Sequence, residues 1–295
     1  MIEGETARTD LVHRATTRLR RAACTAVLLL IAGAPPAVAS VTIGQLAPGT
    51  PIGFADPSGM LDVVQPAVTS GSSYAAPGNG TITSWSHNAA AGAGQTMAFK
   101  VFRKVTGSTY TVVGHDGPRS LVGGTVNAFP AAIGVKPGDV IGLSFNLVPP
   151  AKAWFFMAPG DAFLRRIGNL ADSQSGNFDP DPDRRLNVTA VFVPTNAFTL
   201  RGIARHRKKG TATLKVNVPN PGELVLSGNG VKRVSATPAV AVTAPGIVRL
   251  PIRATGRKRE KLNQTSRVRV KARVTYTPTG GDPSTQSRKL KLKKL

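Results

Sequence analysis

Residues 267–276 read Arg-Val-Arg-Val-Lys-Ala-Arg-Val-Thr-Tyr, an unbroken period of two. Successive side chains of a strand point to opposite faces, so this stretch has one apolar face and one polar face. A helix would scatter both sets around its axis. Val268, Val270, Ala272, Val274 and Tyr276 therefore face a core. Arg267, Arg269, Lys271 and Arg273 form a ladder of cations in water, with same-face neighbours about 7 Å apart. The same grammar recurs along the chain. Ala212, Leu214, Val216 and Val218 alternate with Thr211, Thr213, Lys215 and Asn217, and Val248, Leu250 and Ile252 alternate likewise. Ile82-Thr83-Ser84-Trp85-Ser86-His87 alternates further upstream. Met97, Phe99 and Val101 take one face of a strand and Ala98, Lys100 and Phe102 the other.

Turn chemistry separates these segments. Lys136-Pro137-Gly138-Asp139 places Pro where φ is preset and Gly where φ is positive. Gly114-His115-Asp116-Gly117-Pro118 is expected to turn, and Asn229-Gly230 suits a tight hairpin. Short strands bounded by Gly, Pro, Asn and Asp predict an all-β chain: a jelly-roll-like β-sandwich followed by a smaller Ig/fibronectin-like β-sandwich. The expected boundaries are residues 1–39, 40–195 and 196–295. The 31 Gly and 23 Pro show no three-residue period, which excludes a collagen-like chain, and 41% apolar residues exclude overall disorder.

Residues 1–39 read as a signal peptide. Arg14, Arg18, Arg20 and Arg21 precede the apolar stretch Ala22 to Ala34, Pro35-Pro36 break it, and Ala37-Val38-Ala39 supplies a small-residue cleavage site between Ala39 and Ser40. The stretch is too short to span a bilayer comfortably. The one cysteine, Cys24, lies within it, so a mature chain would have no disulfide. A bacterial protein that is secreted, extracellular and possibly held at the cell wall is the expectation, monomeric and without a transmembrane segment.

The net charge of +23 is unevenly spread: +2 in residues 1–40, +1 in 41–195 and +20 in 196–295. Such asymmetry points to anionic partners. Besides the ladder, Arg207, Lys208, Lys209 and Arg257, Lys258, Arg259 are expected to cluster in loops. Anionic envelope polymers or phospholipid headgroups are the favoured partners, and a glycan ligand is the alternative. Nucleic acid ranks lower, because phosphate contacts need only charge but base stacking needs aromatics, and residues 196–295 hold only Phe198 and Tyr276.

Signals for catalysis are sparse. No Gly-x-Ser-x-Gly elbow or His-Glu-x-x-His helix occurs. His115-Asp116 has no companion for a dyad, and His87 reads as structural. No cofactor is expected, Ca²⁺ excepted: Asp179, Asp181 and Asp183 place oxygen ligands at alternate positions, though Arg184-Arg185 can neutralise them. Trp154-Phe155-Phe156 reads as core rather than as a sugar-stacking platform. The expected function is non-catalytic binding or structure at the cell surface.

The segments Thr81–Ser86, Val135–Leu143 and Arg185–Ala190 resemble a sandwich module of secreted proteins of high-GC bacteria. Lys208–Leu214, Gly222–Gly228 and Val274–Pro278 resemble the basic Ig-like module that follows it in such proteins. This uncharacterised two-module family implies the same fold pair over most of residues 41–295 and implies no activity.

Overall fold

A computed structural model describes residues 39–53, 59–146, 154–234 and 240–295. The arginines and apolar stretch read as a signal segment lie outside the described residues. What is described is all-β and built from antiparallel sheets. In chain order the first strands are β1 (Val41–Gln45), β2 (Met60–Ala67), β3 (Gly80–Asn88), β4 (Thr96–Thr106), β5 (Thr109–Ser120), β6 (Val126–Val135) and β7 (Val140–Asn146). Then come β8 (Phe155–Met157), β9 (Ala162–Ile167), β10 (Ser175–Asn177), β11 (Asp179–Pro180), β12 (Arg184–Leu186) and β13 (Val188–Pro194). They form a sheet β1-β13-β3-β6, a larger sheet β10-β5-β4-β7-β2-β9-β11, and a pair β12-β8.

The core between these sheets is aromatic. Trp85 on β3 stacks on Phe99 of β4 at 5.6 Å between centroids. Its indole N–H donates to Asp116 at 2.7 Å, and the hydrogen bond from Arg119 holds that carboxyl below its ordinary range. Trp154 packs among Phe155, Phe145 and Phe163. It is fully buried, so the Trp154-Phe155 pair belongs to the core.

Two turn expectations end differently. Lys136–Asp139 turns between β6 and β7, with Gly138 at φ 84° and the Asp139 N–H bonded to Lys136 O. Residues 114–118 do not turn. They continue β5 against β4 through register shifts, which Gly117 absorbs at φ 109°; a Cβ there would meet Arg119 N at 2.9 Å. Glycines read as a turn are here the residues of bulges.

The second set is β14 (Thr199–His206), β15 (Thr211–Val218), β16 (Gly222–Asn229), β17 (Val240–Val242), β18 (Gly246–Ile252), the helix α1 (Gly256–Thr265), β19 (Arg267–Pro278) and β20 (Ser284–Lys293). One sheet runs β14-β15-β18 and the other β17-β16-β19-β20. Leu214, Val216, Leu250 and Ile252 of the first meet Leu224, Leu226, Val270 and Val274 of the second. The two hydrophobic cores share no residue: one runs from Ile43 to Phe192, the other from Phe198 to Leu292. No helix among the described residues is long and apolar enough to cross a membrane.

Both sets lie in one compact unit and are tied together by buried amides. Asn220, 2% exposed, accepts from Asn79 N–H at 2.6 Å and donates to Asn79 O and Thr195 O at 2.8 and 3.0 Å. Tyr276 donates to Asn220 O, also at 2.8 Å. Asn220→Ala strands several of these groups and is expected to cost about 2 kcal/mol. Chemical denaturation measures it; a loss under about 0.5 kcal/mol would mean that solvent satisfies them.

Candidate anion-binding face

β19 displays the ladder as its pattern demands. Val268, Val270, Ala272, Val274 and Tyr276 are buried, while Arg267, Arg269, Lys271 and Arg273 are exposed. The antiparallel register with β20 then sets a second row beside the first. Arg267 lies opposite Lys293, Arg269 opposite Lys291, and Lys271 opposite Lys289. Cross-strand neighbours have Cβ atoms about 5 Å apart, and like charges so placed repel. Three such pairs in sequence are an electrostatic cost built into the sheet.

Among the described residues no acidic side chain forms an ion pair with it. Among the described residues, every salt bridge joins side chains between Asp62 and Arg185; none involves residues 196–295. Of the three acids in that stretch, Glu223 lies opposite Thr277 at the far end of β16, Glu260 is exposed on α1, and Asp282 accepts from Ala39 N–H.

The strip contains a groove of about 520 Å³, lined by Arg269, Lys271, Lys289 and Lys291 with Asn229 of β16 and Lys258 of α1. Lys258 reaches it because α1 starts beside the β16 hairpin: Thr255 N–H bonds Gly230 O, and the Lys258 side chain lies over Gly230.

The expected loop position of Arg257, Lys258 and Arg259 is corrected. They form the first turn of α1, in a run of good helix formers between Gly256 at φ 47° and Ser266 at φ 54°. Leu262 is the one buried residue of this helix, so no apolar stripe advertised it. The first turn holds no acid, which is the wrong sign for a helix N-terminus.

Arg207, Lys208 and Lys209 are also not in an open loop. They make a 3-10 turn closed by Gly210 and line a separate depression of about 460 Å³ with Thr213, Pro251 and Arg253. This turn lies beside the end of β20, where the Leu295 N–H bonds Arg207 O and Arg205 reaches Lys291 O. Lys289, Lys291 and Lys293 were missed as partners of the ladder, although Lys289-Leu290-Lys291-Leu292-Lys293 alternates as plainly as β19 does.

The three aspartates read as Ca²⁺ ligands are not brought together. Asp179 is exposed on β11, Asp181 is engaged by Arg184 and Arg165, and Asp183 accepts from Gly160 N–H at 2.7 Å. Among the described residues no group of three His, Cys, Asp or Glu side chains is placed to hold a metal ion. Ala39 is half-buried and Ser40 exposed, just ahead of β1.

His115 pairs with Asp172 at 2.8 Å on the rim of a cleft of about 410 Å³ over the larger sheet. Inside it Lys100 is buried and gives its protons to Asp62, Asn169 and Leu170 O at 2.6–2.7 Å. Each of these contacts is internal to the fold. His87 is buried, donates Nδ1–H to Asn187 O at 2.7 Å, and has no partner at Nε2 among the described residues. Burial pushes its pKa down to about 4 against the opposing effect of the Asn187 carbonyl. It is a neutral core histidine.

What the described residues define is a class: an antiparallel all-β protein that carries an unpaired two-row cationic strip. No protein-family model matches the chain, and no curated protein matches it.

Proposed function

We propose that this is a secreted, non-catalytic bacterial surface protein whose cationic portion, residues 196–295, associates with anionic polymers of the cell envelope. The observation that carries it is the strip of seven cations on β19 and β20 without an acidic partner among the described residues. A protein gains nothing in stability from aligning like charges; an external polyanion turns that cost into affinity, with release of its counterions.

We also propose the finer architecture. Count β1–β7 and β13 as eight principal strands. The sheets then read 1-8-3-6 and 2-7-4-5, so that 1 lies by 8, 2 by 7, 3 by 6 and 4 by 5. A long hairpin rolled on itself gives that order, which supports a jelly roll with β8–β12 inserted before its last strand. The order β14-β15-β18 against β17-β16-β19-β20 supports an Ig/fibronectin-like sandwich with α1 inserted between its fifth and sixth strands.

Retention of the full-length protein on purified bacterial cell walls over a salt gradient tests the function. Elution is expected to be strongly salt-dependent. The variant Arg267→Gln/Arg269→Gln/Lys271→Gln/Arg273→Gln is expected to bind at least about tenfold more weakly at 0.15 M salt. Equal retention of variant and parent would remove the strip from the function.

A further inference from the structure

We infer that the strip is a track for one extended, base-free phosphodiester chain, with successive phosphates seated on successive cross-strand cation pairs. This rests on the polyanion reading above and assigns its ligand class.

The first ground is the repeat. Two residues of a strand comprise six backbone bonds and advance about 7 Å, which is the ladder spacing. A phosphodiester chain bridged by three carbons, P–O–C–C–C–O–P, also has six bonds between phosphorus atoms. Extended, it repeats at about 7 Å as well. One phosphate therefore meets each of the pairs Arg267/Lys293, Arg269/Lys291 and Lys271/Lys289 without drift.

The second ground is where the charge lies. In a phosphodiester the charge sits in the chain itself, and its two non-bridging oxygens diverge to either side. A chain lying between the rows presents one oxygen to each member of a pair. The carboxylates of a polyuronate hang from the side of the chain and address one row. Arg at 267, 269 and 273 supplies forked donors suited to phosphate oxygens.

The third ground is shape and lining. Arg267 to Arg273 is about 20 Å of strand, and adjacent strands are about 5 Å apart. That is a line for a single chain, whereas the two backbones of a duplex lie about 12 Å apart across the major groove. Among the described residues no aromatic side chain lines the groove, so none of them stacks a base there. Among the described residues no large apolar side chain is exposed on β19 or β20 themselves, and only the chain-terminal Leu295 is exposed just past them, which is little wedge for a lipid surface. At one end Lys258 enters from a helix turn of three cations and no acid, where an anion relieves an adverse dipole.

The test uses the full-length protein and titration calorimetry at 0.15 M salt. The probes are poly(glycerol phosphate), oligothymidylate with the same number of phosphates, polygalacturonate of equal charge, and vesicles containing phosphatidylglycerol. Poly(glycerol phosphate) is expected to bind at least about tenfold more tightly than polygalacturonate and no more weakly than oligothymidylate or the vesicles. Arg269→Gln/Lys271→Gln/Lys289→Gln/Lys291→Gln is expected to lose at least about tenfold more affinity than Lys215→Gln/Arg249→Gln/Lys232→Gln/Arg233→Gln, which removes the same charge elsewhere. Equal losses in the two variants, or polygalacturonate binding as tightly, would reduce the track to general charge and overturn it. Tighter binding of oligothymidylate or of vesicles would overturn it in favour of nucleic acid or of a headgroup surface. Retention on cell walls without preference among the soluble polymers discards the track and keeps the surface association; preference without retention does the reverse.

Discussion

Lys100→Met is expected to cost about 3–5 kcal/mol of folding stability, because it leaves the Asp62 carboxylate buried without its cation. Lys100 and Asp62 meet at 2.7 Å with side chains 3% and 0% exposed. Asp62 also accepts the Leu170 N–H, so the pair pins the segment after β9 onto the outer face of the larger sheet. The charge, not the volume, carries the penalty. Lys100→Met/Asp62→Asn keeps an acceptor for Leu170 and removes the uncompensated charge, and it is expected to recover at least half of the loss. Urea unfolding of both variants measures this. A cost below about 1 kcal/mol for Lys100→Met would show that water reaches Asp62. Arg185 and Asp161 form a second pair of this kind at 2.5 Å. Burial alone would raise Asp161, but hydrogen bonds from Arg185 and Thr69 outweigh it and hold the carboxyl below its ordinary range.

These pairs also mark how far the sequence was legible. Period-two patterns located the strands, since alternation is a local property of a half-buried strand. The cationic ladder was legible for the same reason, as both its faces are written into ten residues. Its partner row was not, because which lysine stands beside which arginine depends on the register with β20, and register is set by the turn and the core. Lys100 falls on the expected strand face, yet that face is covered by the segment carrying Asn169 and Leu170, which lies far away in sequence. A long-range cover cannot be read from alternation. The helix α1 escaped for the opposite reason: with Leu262 its one buried residue, it has almost no pattern to read. The aspartates of residues 179–183 looked like a ligand set by spacing, but strand pairing and two arginines disperse them.

Between pH 6.5 and about 4 the protein is expected to lose about 3 kcal/mol of stability through His87 alone, at about 1.4 kcal/mol for each pH unit. The sign follows from burial. In the unfolded chain this imidazole takes up a proton near pH 6.5, whereas in the fold it stays neutral until about pH 4. Over that interval the unfolded state binds more protons, so acidification favours unfolding. Protonation in place would add a charge and an Nε2–H donor where no partner is available among the described residues. Two of the aspartates lie outside that window. Asp161 and Asp116 have lowered values, so their stabilisation is present above the ordinary carboxylate value of 3.8 and is lost only below it. Urea titrations at pH 7, 6, 5 and 4.5 on the parent and on His87→Gln separate the effects. The variant is expected to be less stable at pH 7, since the Asn187 carbonyl loses a well-placed donor. Its stability is expected to stay nearly flat down to pH 4.5 while that of the parent falls. Parallel curves for the two proteins would show that His87 is protonated as readily in the fold as outside it.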